Sequence, residues 1–122
     1  MKVTIGQLKL SESALLKLSK QDLPILLSFQ LGRLIKQISP DLISLEETRL
    51  KLVQKYGTPD SESGQTTVLG DAIQKFTEEL NPILDTEIQI DFQKIPISSI
   101  PEKVELNTSD VMALDPFLEY SV

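Results

Sequence analysis

Neither cysteine nor histidine occurs among the 122 residues. Without cysteine there are no disulfides, thiolate metal sites or thiol nucleophiles, and the redox compartment is left open. Without histidine the commonest general base and the commonest nitrogen ligand for a metal are missing as well. Only carboxylates, hydroxyls and lysines remain for chemistry, so the composition argues against an enzyme. Tryptophan is absent, and the aromatic side chains are four Phe and two Tyr. A core must therefore rest on Leu and Ile. No apolar run approaches the length of a membrane span, and Met1-Lys2-Val3-Thr4-Ile5-Gly6 lacks the basic and then continuously apolar character of a signal peptide. These absences point to a soluble, unexported protein.

A Gly-rich phosphate loop, a nucleophile elbow and zinc-ligand spacing are all missing from the sequence. A net charge of −6 disfavours bare nucleic acid, whose affinity comes largely from Lys and Arg displacing counterions. Acidic and basic residues are interspersed, which is the pattern of a solubilising surface. The chain is long enough for one domain with a modest core, and 1–122 is read as a single unit.

What is present is a long amphipathic segment over 23–57. From Leu27, the positions Leu31, Leu34, Ile38, Leu42, Leu45, Leu52 and Tyr56 recur at spacings of three, four or seven, with Arg49 the one polar member of the series. This is helical periodicity, and Arg33, Lys36, Glu46, Glu47, Lys51 and Lys55 supply a polar side. Leu27, Leu31, Leu34, Ile38, Leu45 and Leu52 are the candidate partner-packing residues, whether the partner is this chain or another. Asp22-Leu23-Pro24 is a start signal for the segment, and Gly57 is a candidate for its left-handed cap. Pro40 allows two outcomes. A kinked but roughly collinear helix is favoured because the apolar spacing continues across it; the other outcome is a break into two packed helices.

Residues 1–22 read as an extended arm over 2–10 followed by a short helix capped by Ser11 and ending near Lys20. Residues 58–70 are polar and read as a projecting loop. The spacing of Ala72, Ile73, Phe76, Leu80, Ile83 and Leu84 predicts a helix over 71–84, packed antiparallel on the long one. From Asp85 the period changes to two, with Thr86, Ile88, Ile90 and Phe92 on one side, which predicts a strand region over 85–100 that the N-terminal arm can pair with. Residues 101–122 hold a short helix capped near Asn107, then Asp115-Pro116 and an anchoring Phe117. The predicted class is α+β, mainly α.

Three sets of side chains are candidates for a site. Asp85, Glu87 and Asp91 form an acidic row, but alternate strand residues stand about 7 Å apart, too far to converge on a calcium ion. Glu46, Glu47, Glu78 and Glu79 lack the histidines of a di-metal bundle. Arg33 and Arg49, the only arginines, can each clamp a phosphate or carboxylate, although a salt-bridged surface role is the simpler expectation. No catalytic residue, cofactor or metal is assigned.

The opening Met1-Lys2-Val3-Thr4-Ile5-Gly6-Gln7-Leu8, the Leu23-Pro24 before the long helix, Arg33-Leu34-Ile35-Lys36-Gln37-Ile38 and the run Leu45 to Gly57 together resemble small proteins of tailed bacteriophages and prophages. Phe76 to Leu80, Glu87 to Ile90 and Ser109 to Glu119 extend the resemblance over most of the chain. Pro40 departs from the uninterrupted helix of that pattern. The resemblance implies a context and carries over no functional residue: a phage product acting in the host bacterial cytoplasm or in the virion. The expected function is non-enzymatic, through protein–protein contacts, as a virion assembly component or a homo-oligomer. The alternative is a counter-defence protein that sequesters a nucleotide-like host signal, with Arg33 and Arg49 at a subunit junction, or blocks a host protein.

Overall fold

The computed structural model describes residues 1–59, 66–68 and 70–120. Among the described residues four helices carry the fold: α1 (Ile5–Ser19), α2 (Ile25–Tyr56), α3 (Asp71–Leu84) and α4 (Thr108–Ala113). Short strands tie their ends together: β1 (Lys2–Thr4), β2 (Thr58–Pro59), β3 (Thr66–Thr67), β4 (Glu87–Gln89), β5 (Ile95–Pro96) and β6 (Leu118–Glu119). Single 3-10 turns occupy Ile97–Ser99 and Asp115–Phe117.

The N-terminal helix starts earlier than the sequence suggests. Thr4 and Gln7 form a capping box, the Thr4 hydroxyl accepting from the Gln7 N–H at 3.1 Å and the Gln7 side chain accepting from the Thr4 N–H at 2.8 Å. Two orphan donors are satisfied at once, so the helix begins at Ile5 and only Lys2–Thr4 is extended. Ser11 is no cap. It lies buried in mid-helix, where its hydroxyl donates to the Leu8 carbonyl at 3.0 Å. The longer α1 then packs along α2 and supplies Leu8, Ala14, Leu15 and Leu18 to the core.

α2 is helical without a break from Ile25 to Tyr56, through Pro40. Pro40 cannot donate to the Lys36 carbonyl, a loss a helix absorbs where the freed carbonyl meets water. The start differs from expectation, because Pro24 is the capping position with no side-chain cap. Asp22 instead accepts from Lys103 at 2.8 Å, which ties the α1–α2 connection to the C-terminal segment. Gly57 ends the helix in extended backbone (φ −82°) rather than left-handed. A Cβ there would collide with the Val53 carbonyl and the Thr66 side chain, so close approach is what requires glycine.

Within the predicted loop, Thr58–Pro59 and Thr66–Thr67 pair antiparallel, while residues 60–65 and 69 lie outside the described residues. Gly70, at φ 62°, turns the chain into α3. α3 comes back antiparallel on the C-terminal part of α2, with Lys55 beside Glu79 at 3.2 Å. It is lightly attached: none of its residues is fully buried, and Ile73 is largely exposed.

The alternating segment after Asp85 pairs with the N-terminal arm, but over Glu87–Gln89 and not along the whole of the expected strand region 85–100. Lys2 faces Gln89, Val3 faces Ile88 and Thr4 faces Glu87 in an antiparallel ladder. The regular part is short, because an arm of three residues offers few ladder partners, but Ile90 continues it by donating to the Met1 carbonyl at 2.9 Å. Ile90 is buried and Ile88 and Phe92 pack on the core. Further on, Ile95 and Pro96 pair in parallel with Leu118 and Glu119.

α4 opens with a second capping box. The Asn107 side chain accepts from the Asp110 N–H at 2.8 Å, and the Asp110 carboxylate accepts from the Asn107 N–H at 3.1 Å. Asp110 also accepts from Lys17 of α1 at 2.6 Å, docking the helix. Phe117 follows, among the described residues the one fully buried aromatic ring, edge-on to Phe92 with centroids 5.8 Å apart. Around it the core is almost entirely Leu and Ile.

Candidate protein-interaction surface

α2 presents two apolar faces, and among the described residues only one of them is packed within the chain. Leu27, Leu31, Leu34, Ile38, Leu45 and Leu52, the predicted partner-packing residues, are all buried. Leu27, Leu31, Leu34 and Ile38 belong to the main core cluster with α1 and the C-terminal segment. Their partner is this chain.

On the opposite side, Ile25 is 86% exposed, Phe29 61%, Ile43 59% and Leu50 47%. At 100° per residue these four and Gly32 fall within one narrow stripe, about half a turn away from the buried leucines. Where α1 flanks the stripe, a groove of about 410 Å³ opens between the helices. Leu15, Leu16, Ile35, Leu42 and Ile43 give it an apolar floor, and Lys9, Glu12 and Glu46 stand at its rim. Isolated exposed apolar residues are ordinary on a protein surface; here four recur on one helix face, with Lys36 between Phe29 and Ile43, and Ile43 is the one of the four that lines the groove.

The two arginines do not converge. Arg49 is held within its own helix: its Nε donates to Glu46 Oε2 at 2.9 Å and its Nη2 to Glu46 Oε1 at 2.6 Å. That bidentate hydrogen bond raises the guanidinium pKa further and lowers that of the Glu46 carboxyl. Arg33 lies over the Phe29 ring, 6.0 Å from its centroid, with its Nη2 3.7 Å from Asp91 Oδ2. Sixteen residues of helix separate the two, about 24 Å along the axis. One chain therefore does not bring them to one anion.

The acidic residues are dispersed too. Asp85, Glu87 and Asp91 are all exposed, and among the described residues no three carboxylates are grouped closely enough to hold a metal ion. Lys55, drawn to Glu79, also sits 5.0 Å from the Tyr56 ring centroid, and the hydrogen bonds to Tyr56 and Glu79 raise its pKa. These are surface pairs of small energetic weight. Among the described residues no helix is long and apolar enough to cross a membrane.

The outward stripe was missed in the sequence because the helix was assigned a single apolar face. Its signal is the recurrence of Phe29, Ile43 and Leu50 at multiples of seven, interrupted by Lys36. No family model matches the chain, and neither the curated proteins nor the solved structures contain a match.

Proposed function

We propose that this chain is a non-enzymatic phage protein that works through protein–protein contacts made by the outward face of α2, as a virion assembly component or a homo-oligomer. The observation that carries the proposal is the exposure of Ile25, Phe29, Ile43 and Leu50 along one face of a helix whose other face is already buried in the core. Burial of apolar area at about 25 cal/mol per Å² is the main drive for association, and this face holds the largest unused supply of it on α2. The absence of His and Cys from the sequence supports a non-enzymatic role. The resemblance to tailed-phage proteins supplies the setting, the host cytoplasm or the virion.

Native mass spectrometry of the protein purified from infected host cells tests this. The expected result is a defined complex, with itself or with virion proteins, that Ile43→Asp disrupts while circular dichroism stays unchanged. Ile43 is exposed, so the substitution leaves the core intact. A complex indifferent to Ile43→Asp would refute the role given to this face.

A further inference from the structure

The outward face of α2 has the residue order of a helix-pairing seam. Phe29, Lys36, Ile43 and Leu50 stand seven residues apart, and Ile25, Gly32, Ser39, Glu46 and Val53 alternate with them at steps of four and three. A seven-residue repeat with that interleaving keeps one seam of a helix turned toward a partner helix over its whole length. Gly32 fits no need within the chain: a Cβ there would meet nothing within 4 Å. Yet a mid-helix glycine costs about 1 kcal/mol relative to alanine.

The seam is complementary to itself when reversed. With a two-fold axis at the level of Asp41, Leu50 of one copy lies on Gly32 of the other, Ile43 lies on Ser39, Phe29 on Val53, and Lys36 on Glu46. Large side chains meet small ones, and Lys36 meets a Glu46 carboxylate that Arg49 of its own helix also holds, each oxygen keeping a second lone pair for the ammonium. Each layer occurs twice by symmetry. Sliding one helix by seven residues either way sets Phe29 or Ile43 against Glu46. A parallel arrangement sets Lys36 on Lys36 and Glu46 on Glu46.

We propose that two copies of this chain associate through α2 against α2, antiparallel, in this register. The inference rests on the interaction reading above and names its partner as a second copy. Gly32 is then the point of close helix approach, and the Lys36–Glu46 layers select both orientation and register. The partner helix lies along the margin of the α1–α2 groove and covers Ile43 and Leu16.

Sedimentation equilibrium on the full chain, with circular dichroism to verify folding, tests it. The wild-type chain is expected at twice its 13.6 kDa mass. Lys36→Glu sets like charges together in two layers and should weaken the dimer roughly a hundredfold. The double change Lys36→Glu with Glu46→Lys should restore part of that loss, because the layer regains opposite charges while Glu46→Lys also takes the partner from Arg49. A folded wild-type chain that stays monomeric up to about 1 mM overturns the self-pairing. If Ile43→Asp nevertheless disrupts a complex from infected cells, the interaction face survives and its partner is another protein. A dimer unaffected by both Lys36→Glu and Ile43→Asp overturns the register and the face together.

Discussion

Phe117→Ala removes a fully buried aromatic ring, which holds the C-terminal segment against the core. Truncating a buried Phe costs about 3–5 kcal/mol, combining lost transfer energy with an incompletely collapsed cavity. This site belongs in the upper half of that range, because the ring is wholly enclosed and meets Phe92 edge-on at 5.8 Å and 76°. Such a pair adds about 0.5–1.5 kcal/mol beyond its area. A chain of this size has a total stability of roughly 6–18 kcal/mol, so the variant should fold with a large part of that gone. The assay is urea unfolding followed by circular dichroism, with Phe92→Leu and the double variant completing a cycle. The expected coupling between the rings is about 1 kcal/mol, and the midpoint of Phe117→Ala should fall while its slope is kept. A cost below about 1 kcal/mol for Phe117→Ala would refute the docking of the C-terminal segment described above.

Thr4→Ala removes the α1 cap and should cost about 1 kcal/mol in thermal unfolding, whereas Ser11→Ala should be nearly neutral, because the Leu8 carbonyl keeps its helical partner. The reverse order would return the helix start to Ser11. Asp110 has a pKa lowered by its hydrogen bond from Lys17 and by the backbone N–H of Asn107. Its stabilisation is therefore complete above the ordinary carboxylate value near 3.8 and is lost as pH falls through the lower folded value. Unfolding curves of wild type and Asp110→Asn should accordingly separate at neutral pH and converge in acid; a constant separation would contradict the ion pair. Hydrogen exchange should show α3 opening before α1 and the buried half of α2, because no α3 residue is fully enclosed. Equal protection across the three helices would contradict that order.

Where a local signal was strong, the sequence reading and the structure agree. The short helix expected to be capped near Asn107 is capped there, by Asn107 and Asp110 together. The Leu27 to Leu52 series defined α2 and its buried face, because repeats of three, four and seven over this length fit no strand. At Pro40 the spacing across the residue was a better guide than the residue itself. Other features had signals that competed or were absent. Val3 and Ile5 alternate like a strand, and Ser11 is a good cap type, so both obscured the Thr4–Gln7 box that starts α1. The parallel pairing of Ile95 with Leu118 joins two-residue segments far apart in sequence and leaves no local pattern. Arg49 looked conspicuous for breaking the apolar register, and its geometry is an ion pair with Glu46 one turn away. The exposed stripe was legible only by counting a second seven-residue repeat on the same helix. Burial then decided which of the two stripes the fold consumes.

The antiparallel pairing of α2 is tested most directly by an electron-spin distance between two copies. The chain has no cysteine, so Gln54→Cys, an exposed position near the end of α2, gives each copy a single label. Residue 54 stands thirteen residues from the axis level at Asp41, so at 1.5 Å rise per residue the two labels should be about 40 Å apart. A distance near 40 Å that vanishes in Lys36→Glu is the expected result. A separation of about 10–20 Å, as side-by-side parallel helices would give, or no coupling between labels at all, would contradict it.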